Sequence, residues 1–468
     1  MAYPKVILEF STSPSFSDIY WKQTIQLDTY VTNKTLLVSD FADSIDTGKL
    51  IYGDVYIRAK YIEGDYGDSD YSEPIKLSIV RPTEIIGVCF DNTSIPGTFS
   101  WIDEYGNRLT SFDYQSHPCY RLVTEQTLTI QRSNPDFEVE STFIAIPKFY
   151  IRTSLTGPVG SFAEGKKCWW LSNQPYAGFR AHSMFKRVRN SDTSSAVDKV
   201  YIGKYLGSSV DMSSESGNLS FLVSRPNMEV LSSITIDTAE TLASNHNNTY
   251  DNLRNRTKAH MMDIYHWGGL KYLGLIAMCG GDSEGFWGTN TIGENPITGT
   301  TNAKFIFKGT NSNPQVYIDD AWNCYCCWTD LISVKDGKLQ LKKPWYGLNY
   351  DEVDQVNFTT AVDASKYTVS ATESGKYFND VMDCPFTLGN EVHDLMELFL
   401  PKTPAANILQ AAFKDFGFFI NNNNSTEYIV HSGGWPAGDE RSGLFSIAGN
   451  AARNIANTYI SARLCYTY

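Results

Sequence analysis

The chain has 468 residues, a net charge of −13 and a pI near 5.1, with 42% hydrophobic and 19% charged residues. At typical sizes of roughly 100–200 residues per domain, two or three domains are expected. No Lys/Arg run exceeds a pair, which excludes the basic stripe of a nucleic-acid binder, and no apolar run approaches the roughly 18 residues of a membrane-spanning helix.

Residues 1–82 read as a small all-β module. Its opening, MAYPKVILEF, lacks a charged segment followed by an apolar one, so no secretory signal is expected and synthesis is expected in a cytosol. Val6, Leu8 and Phe10 alternate with polar residues, the period of a half-buried strand. Further strands are expected over 19–27, 32–39, 54–61 and 75–80. Arg81-Pro82-Thr83 reads as the hinge into the next domain.

Beyond the hinge, residues 85–90 form a short expected strand and 91–97 a turn-rich loop. Residues 143–152 are a strong strand candidate with Pro147 inside, which argues for an edge or a bulge. The stretch 151–235 is loop-rich, with strands at Trp169-Trp170 and 201–205 and polar loops at 190–195 and 213–217.

Helical material lies in 237–279. Asp237 with Glu240 three residues on marks one helix start. Asp263 caps a second helix, with Ile264, Trp267, Leu270, Leu275 and Met278 on one face. Gly268, Gly269 and Gly274 lower its propensity, and close packing against a sheet is their expected use. His260 and His266 flank Asp263 at spacings of three, which raises the question of a metal. The core-like neighbours Met261, Met262 and Trp267 favour satisfied structural histidines, and no metal is expected.

Residues 280–400 are a long excursion, rich in Gly, Asn and Thr at 280–301, with a hairpin signal over 333–341 around Asp336-Gly337. Of nine Cys, Cys324, Cys326 and Cys327 cluster in AWNCYCCW. That run reads as strand and lacks zinc spacing, so buried reduced thiols are expected. Asn421 to Asn424 read as a solvated turn. In the last segment, HSGGWPAGDERSGLFSIAGNAARNIANTYISARLCYTY, glycines interrupt every apolar run, as in short strands turned by glycines. Ile460, Leu464 and Tyr466 are expected on one face of a closing strand. Asp439, Glu440, Arg441, Arg453, Asn454, Asn457 and Tyr459 fall among the turn residues, where binding groups concentrate on a rigid scaffold. The alternative is that they are only solvated loop residues. No G-x-S-x-G, H-E-x-x-H, Walker-type or G-x-G-x-x-G pattern occurs in a fitting context, so neither a catalytic residue nor a cofactor is expected.

Motif order adds a resemblance. GGxW (Gly433, Gly434, Trp435), GxF (Gly443, Phe445), Gly449-Asn450 and IxARL (Ile460 to Leu464) resemble the last segment of C-type-lectin-like domains on bacteriophage tail and head fibres. These include targets of diversity-generating retroelements, and the fold is shared with formylglycine-generating enzymes. Upstream, IPKFYIR (146–152), GFRAHSMF (178–185), YIGKYLGS (201–208), MDIYHWGGLKYLGLI (262–276) and Trp328-Thr329-Asp330 follow in the order of that group. In residues 1–82, YIRAKY…GDSDYSEP resembles the last two strands of a fibronectin type III domain, without the first two strands of that family. Val6, Leu8 and Phe10 would then lack their usual cover, leaving an open sheet edge.

The resemblance implies a mainly β protein with an α+β part: an N-terminal β-sandwich (1–82) and a large C-type-lectin-like domain with long insertions (83–468). It implies a phage virion structural protein, a fibre or fibre-tip subunit binding a host-surface glycan or protein. The alternatives are a purely structural decoration or joint protein and, remotely, a formylglycine-generating-type oxidase. It implies a ligand face at Asp439, Arg441, Arg453, Asn454, Asn457 and Tyr459, and core positions at Trp267, Trp435, Phe445 and Ile460. Residues 1–82 would dock on other virion proteins, the chain would be a trimer exposed on the particle, and neither nucleic acid nor membrane insertion is expected. Two departures narrow this. Gln174-Pro175 is followed by Tyr176 and Glu294-Asn295-Pro296 is out of order, against calcium-dependent sugar binding. Cys465 is the only late Cys, against the reactive pair of the oxidases.

Overall fold

A computed structural model describes residues 5–11, 14–17, 19–26, 53–63, 67–73, 75–79, 85–131, 138–190, 193–214, 217–247, 258–287, 297–300, 303–309, 315–322, 325–335, 338–342, 359–362, 378–388, 391–404, 408–415, 417–419, 426–434 and 442–467. The chain divides into two units, Met1–Thr83 and Glu84–Tyr468, and is mainly β. Among the described residues no helix is long and apolar enough to cross a membrane.

Among the described residues, the strands of the first unit form one antiparallel sheet of β1 (Lys5–Ser11), β2 (Ile19–Gln26), β3 (Gly53–Glu63), β4 (Gly67–Tyr71) and β5 (Ile75–Ile79). β1 lies between β2 and β3, and both β4 and β5 pair with β3. The open edge expected at the Val6–Phe10 run is therefore corrected: β1 is an inner strand, with Leu8 and Phe10 buried. Between them Glu9 is buried as well, although the alternation places it on the polar face. Its register partners are Lys22 on one side and Arg58 on the other. Lys22 Nζ lies 3.1 Å away and Arg58 Nη2 2.7 Å, while Tyr71 donates its hydroxyl at 2.7 Å. Arg58 is itself sandwiched, 4.3 Å from the Phe16 ring and 4.0 Å from that of Tyr71. Burial opposes the charge on Glu9, but these three donors outweigh it and hold the carboxyl below its usual range. The strand expected over 32–39 and the hinge at 81–83 lie outside the described residues.

The second unit opens with β6 (Ile85–Asp91), β7 (Thr98–Ile102), β8 (Thr124–Gln131), β9 (Glu138–Pro147), β10 (Tyr150–Ser154), β11 (Lys167–Ser172) and β12 (Arg180–Ala181). It continues through β13 (Lys199–Gly203), helix α1 (Ile236–Ser244), β14 (Lys258–Met261) and helix α2 (Ile264–Met278). The last strands are β15 (Cys326–Lys335), β16 (Lys338–Lys342), β17 (Thr359–Val362), β18 (Gly417–Phe419), β19 (Tyr428–Gly434), β20 (Ser442–Ala452), β21 (Ile460–Ser461) and β22 (Leu464–Thr467).

Three larger sheets organise these strands. One runs β12-β10-β11-β6-β7 and a second runs β14-β22-β13-β9-β8. The third runs β17-β16-β15-β19-β20-β18, with β21 paired to β15. All pairs are antiparallel except β18 with β20 and β15 with β21. β6 and β11 are nearly continuous apolar runs because both their faces are covered. α2 packs against β6 and β11 of the first sheet and β15 and β20 of the third.

That placement revises the reading of α2. Every residue from Ile264 to Ala277 is buried, so the helix has no polar face rather than one apolar face. Its cap is Asp263, whose side chain accepts from His266 N, as the sequence suggests. A Cβ on Gly268 would overlap Leu398 and the Glu397 carbonyl, one on Gly269 the Met184 sulfur, and one on Gly274 the Leu444 side chain. Only Gly274 therefore faces a sheet; the other two let turns approach. α1 is capped by Thr235, which accepts from Thr238 N, and Asp237 lies in its first turn rather than at the cap.

Three strand expectations change. Residues 143–152 are not one strand: Pro147 ends β9, and the chain passes into β10 of a different sheet. β9 is an inner strand, so Pro147 sits at a strand end rather than at an edge. Gly443 and Gly449 lie inside β20, not in turns. Ile460 and Leu464 belong to two sheets, yet with Tyr466 they share one apolar cluster with Phe143 and Trp328. Asn190 and the residues 193–195 of the polar segment lie in paired antiparallel strands, Lys186–Asn190 with Thr193–Ala196.

Candidate functional site

The C-terminal motifs supply the framework of the site. Gly443, at φ +138, faces Asp415, whose carboxylate a Cβ there would overlap. Asp415 accepts from Phe445 N at 2.8 Å and from the Ser283 hydroxyl at 3.1 Å, and Ser283 accepts from Leu444 N at 2.8 Å. Burial pushes the Asp415 carboxyl well above its ordinary range. The Arg of IxARL, Arg463, is 1% exposed and donates to four backbone carbonyls: Gly203, Lys204, Asp319 and Asp320.

Between β20 and β21 the chain makes the turn that carries Arg453, Asn454, Asn457 and Tyr459. Its backbone is tied on several sides. Ser233 N donates to Asn457 O at 3.1 Å, Cys326 N to Tyr459 O at 3.0 Å, and Ile455 N to Ala452 O at 2.9 Å. Asn457 Oδ1 accepts from Tyr459 N at 2.8 Å. Asn457 is thus a positioning group rather than an outward one. Asn454 is exposed, and Ile455 and Tyr459 are 42% and 45% exposed.

Arg453 is drawn inward. Its guanidinium lies 2.6 Å from Asp237, 3.3 Å from Glu240 and 3.9 Å from Glu427. Burial opposes its charge, but these carboxylates push its pKa up. Burial and the charge of Asp330 push the Glu240 carboxyl upward, despite Arg453 beside it. The predicted set therefore divides. Asn454 and Tyr459 form an exposed face, and Arg453 and Asn457 fasten the turn to the scaffold. Asp439 and Arg441 lie outside the described residues, as do Glu440 and Trp435. Of the predicted core positions, Trp267, Phe445 and Ile460 are buried.

Sequence reasoning missed a second polar centre. Arg180, of the GFRAH run, lies 3.1 Å from Glu397, which also lies 3.0 Å from His393 Nδ1. Glu391 joins through Lys186 at 2.5 Å and His393 Nε2 at 3.6 Å. His393 and Lys186 pull Glu391 down to about 2. Burial opposes the charge on Glu397, but His393 and Arg180 hold it far below the usual range. Nothing local could have signalled this centre, because Glu397 and His393, which Arg180 meets there, lie more than 200 positions along the chain.

The described cysteines are buried or half-buried. Burial pushes Cys168 and Cys279 up to about 12 and Cys327 up to about 11, so none of the three offers a thiolate near neutrality. Compared with known proteins, the chain matches no family model and no curated sequence.

Proposed function

We propose that the chain is a bacteriophage virion surface protein, a fibre or fibre-tip subunit that binds a host-surface glycan or protein through the 453–459 turn. In this reading a fibronectin-type-III-like unit is followed by a C-type-lectin-like domain. The observation that carries it is an exposed turn on a backbone held by inward hydrogen bonds, presenting Asn454, Ile455 and Tyr459. A rigid backbone with an outward aromatic is suited to recognition because little entropy is lost on binding. The roles of Gly443, Phe445 and Arg463 as anchors support the motif reading of the last segment. Residues 1–82 serve as the attachment unit, with β2 and β4 as outer strands among the described residues, in a trimeric particle component.

The test is adsorption. Purified full chain is applied to host cells and to a glycan array, beside an Asn454→Ala/Tyr459→Ala double variant. Binding by the native chain, lost in the variant at unchanged melting temperature, is the expected result. A second reading, a decoration or joint protein with a purely structural role, is favoured by the inward use of Arg453 and Asn457. Absence of binding by the native chain, with retained binding to virions, would establish that reading instead.

A further inference from the structure

We propose that His260, Asp263 and His266 form a binding site for a divalent transition-metal ion, with Zn2+ the first candidate. The three side chains come from a strand, a helix cap and the first turn of that helix: His260 on β14, Asp263 at the cap of α2 and His266 within it. One donor atom from each lies within 4.8 Å of the others. The two imidazole rings stand 5.1 Å apart at 77°.

The sequence suggested satisfied structural histidines, and His266 does not meet that description. It is 0% exposed, and among the described residues neither ring nitrogen makes a hydrogen bond. Its Nδ1 nevertheless lies 2.7 Å from Asp263 Oδ1. A buried imidazole without a well-aligned hydrogen bond is costly, and a proton on Nδ1 or a metal ion beside Nδ1 and the carboxylate oxygen would relieve it. Asp263 is held in place because the same Oδ1 accepts from His266 N at 2.9 Å. Such outer support orients a ligating carboxylate.

The donor set selects the ion. Two imidazoles and one carboxylate suit Zn2+ and its first-row neighbours, whereas Ca2+ and Mg2+ favour all-oxygen sites. Three protein donors leave a position for water or for the carboxylate of Asp330, whose backbone bridges that of Asp263. The inference stands apart from host recognition, since these residues are not in the exposed turn.

The experiment uses the full chain without a histidine tag, stripped with a chelator and titrated with Co2+ and then Zn2+. The expected result is d–d absorption saturating at one Co2+ per chain and erased by Zn2+. The melting temperature should also rise with the logarithm of Zn2+ concentration. His260→Gln and His266→Gln should each lose the Co2+ spectrum while keeping the native circular dichroism. Should His266→Gln fail to fold, His260→Gln, at the half-buried position, decides alone. No Co2+ absorption and no thermal response in the native chain, or native-like binding by the His260 variant, would overturn the proposal.

Discussion

The guanidinium of Arg463 donates to the carbonyl of Asp320 at 2.8 Å, and Asp320 itself holds a left-handed backbone at φ +50. Arg463 also reaches Asp319 O, Gly203 O and Lys204 O, so one side chain fastens the end of β13 to the 319–320 turn. Replacing it with Met removes a donor from four buried carbonyls, of which Lys204 O keeps the Asp319 N–H at 2.8 Å. Arg463→Met is expected to lower stability by about 3–5 kcal/mol, read from urea denaturation of the full chain. A loss below about 1 kcal/mol would show that solvent or a neighbour takes over the carbonyls.

Trp267 is 1% exposed within α2. Trp267→Ala removes a large buried ring from a helix that is covered on all sides. The expected destabilisation is about 3–5 kcal/mol, measured the same way. A midpoint indistinguishable from that of the native chain would contradict the buried placement of the helix.

Lys271 is fully buried in α2, and among the described residues its Nζ has no hydrogen-bond partner. Burial pushes its pKa down from 10.5 to about 7, with Asp415 opposing. Because the folded pKa lies below the unfolded one, the lysine destabilises the fold increasingly as pH falls from 10.5 to 7, and fully below that. Lys271→Met should therefore stabilise, by about 1–3 kcal/mol at pH 6 and by less at pH 9. Denaturation midpoints at the two pH values check both the sign and the trend.

His246 gives a pH test on a well-defined group. It is buried, its Nε2 lies 2.6 Å from Leu222 O, and burial lowers its pKa from 6.5 to about 4. A histidine lowered in this way contributes stability present above 6.5 and lost as pH falls through about 4. The loss for this residue is on the order of 3 kcal/mol. Asp415 and Glu240, both raised, run in the opposite sense, so the measurement is a difference. The stability gap between native chain and His246→Gln should narrow steadily from pH 7 to pH 4.5. A gap independent of pH would mean that His246 is already charged or solvated at neutrality.

Local signals in the sequence carried as far as local physics decides. The Asp263 cap, the strand over 54–61 and the pairing of β15 with β16 all follow from neighbouring residues, and all appear. Pro147 misled because a proline inside an apolar run marks either an edge or a strand end, and only the partner strands decide between them. Thr235 was passed over as a cap because Asp237 and Glu240 nearby carry a stronger capping pattern. The resemblance places Arg453 on an outward ligand face, among loop residues where binding groups concentrate. The three carboxylates that claim it come from α1 and from Glu427, and their convergence is a property of the tertiary fold.

β22 completes the second sheet by entering between β14 and β13. Tyr201 and Ile202 find their partners at Tyr466 and Cys465, more than 260 positions later. Loop closure over such a span is slow, and strands held open in the meantime are sticky. On the ribosome, β13 must wait with one side uncovered until the chain has been delivered as far as residue 467. The nascent protein then depends on chaperone shelter or on rapid elongation, and shortening the chain before β22 would trap an aggregation-prone intermediate rather than a smaller folded domain.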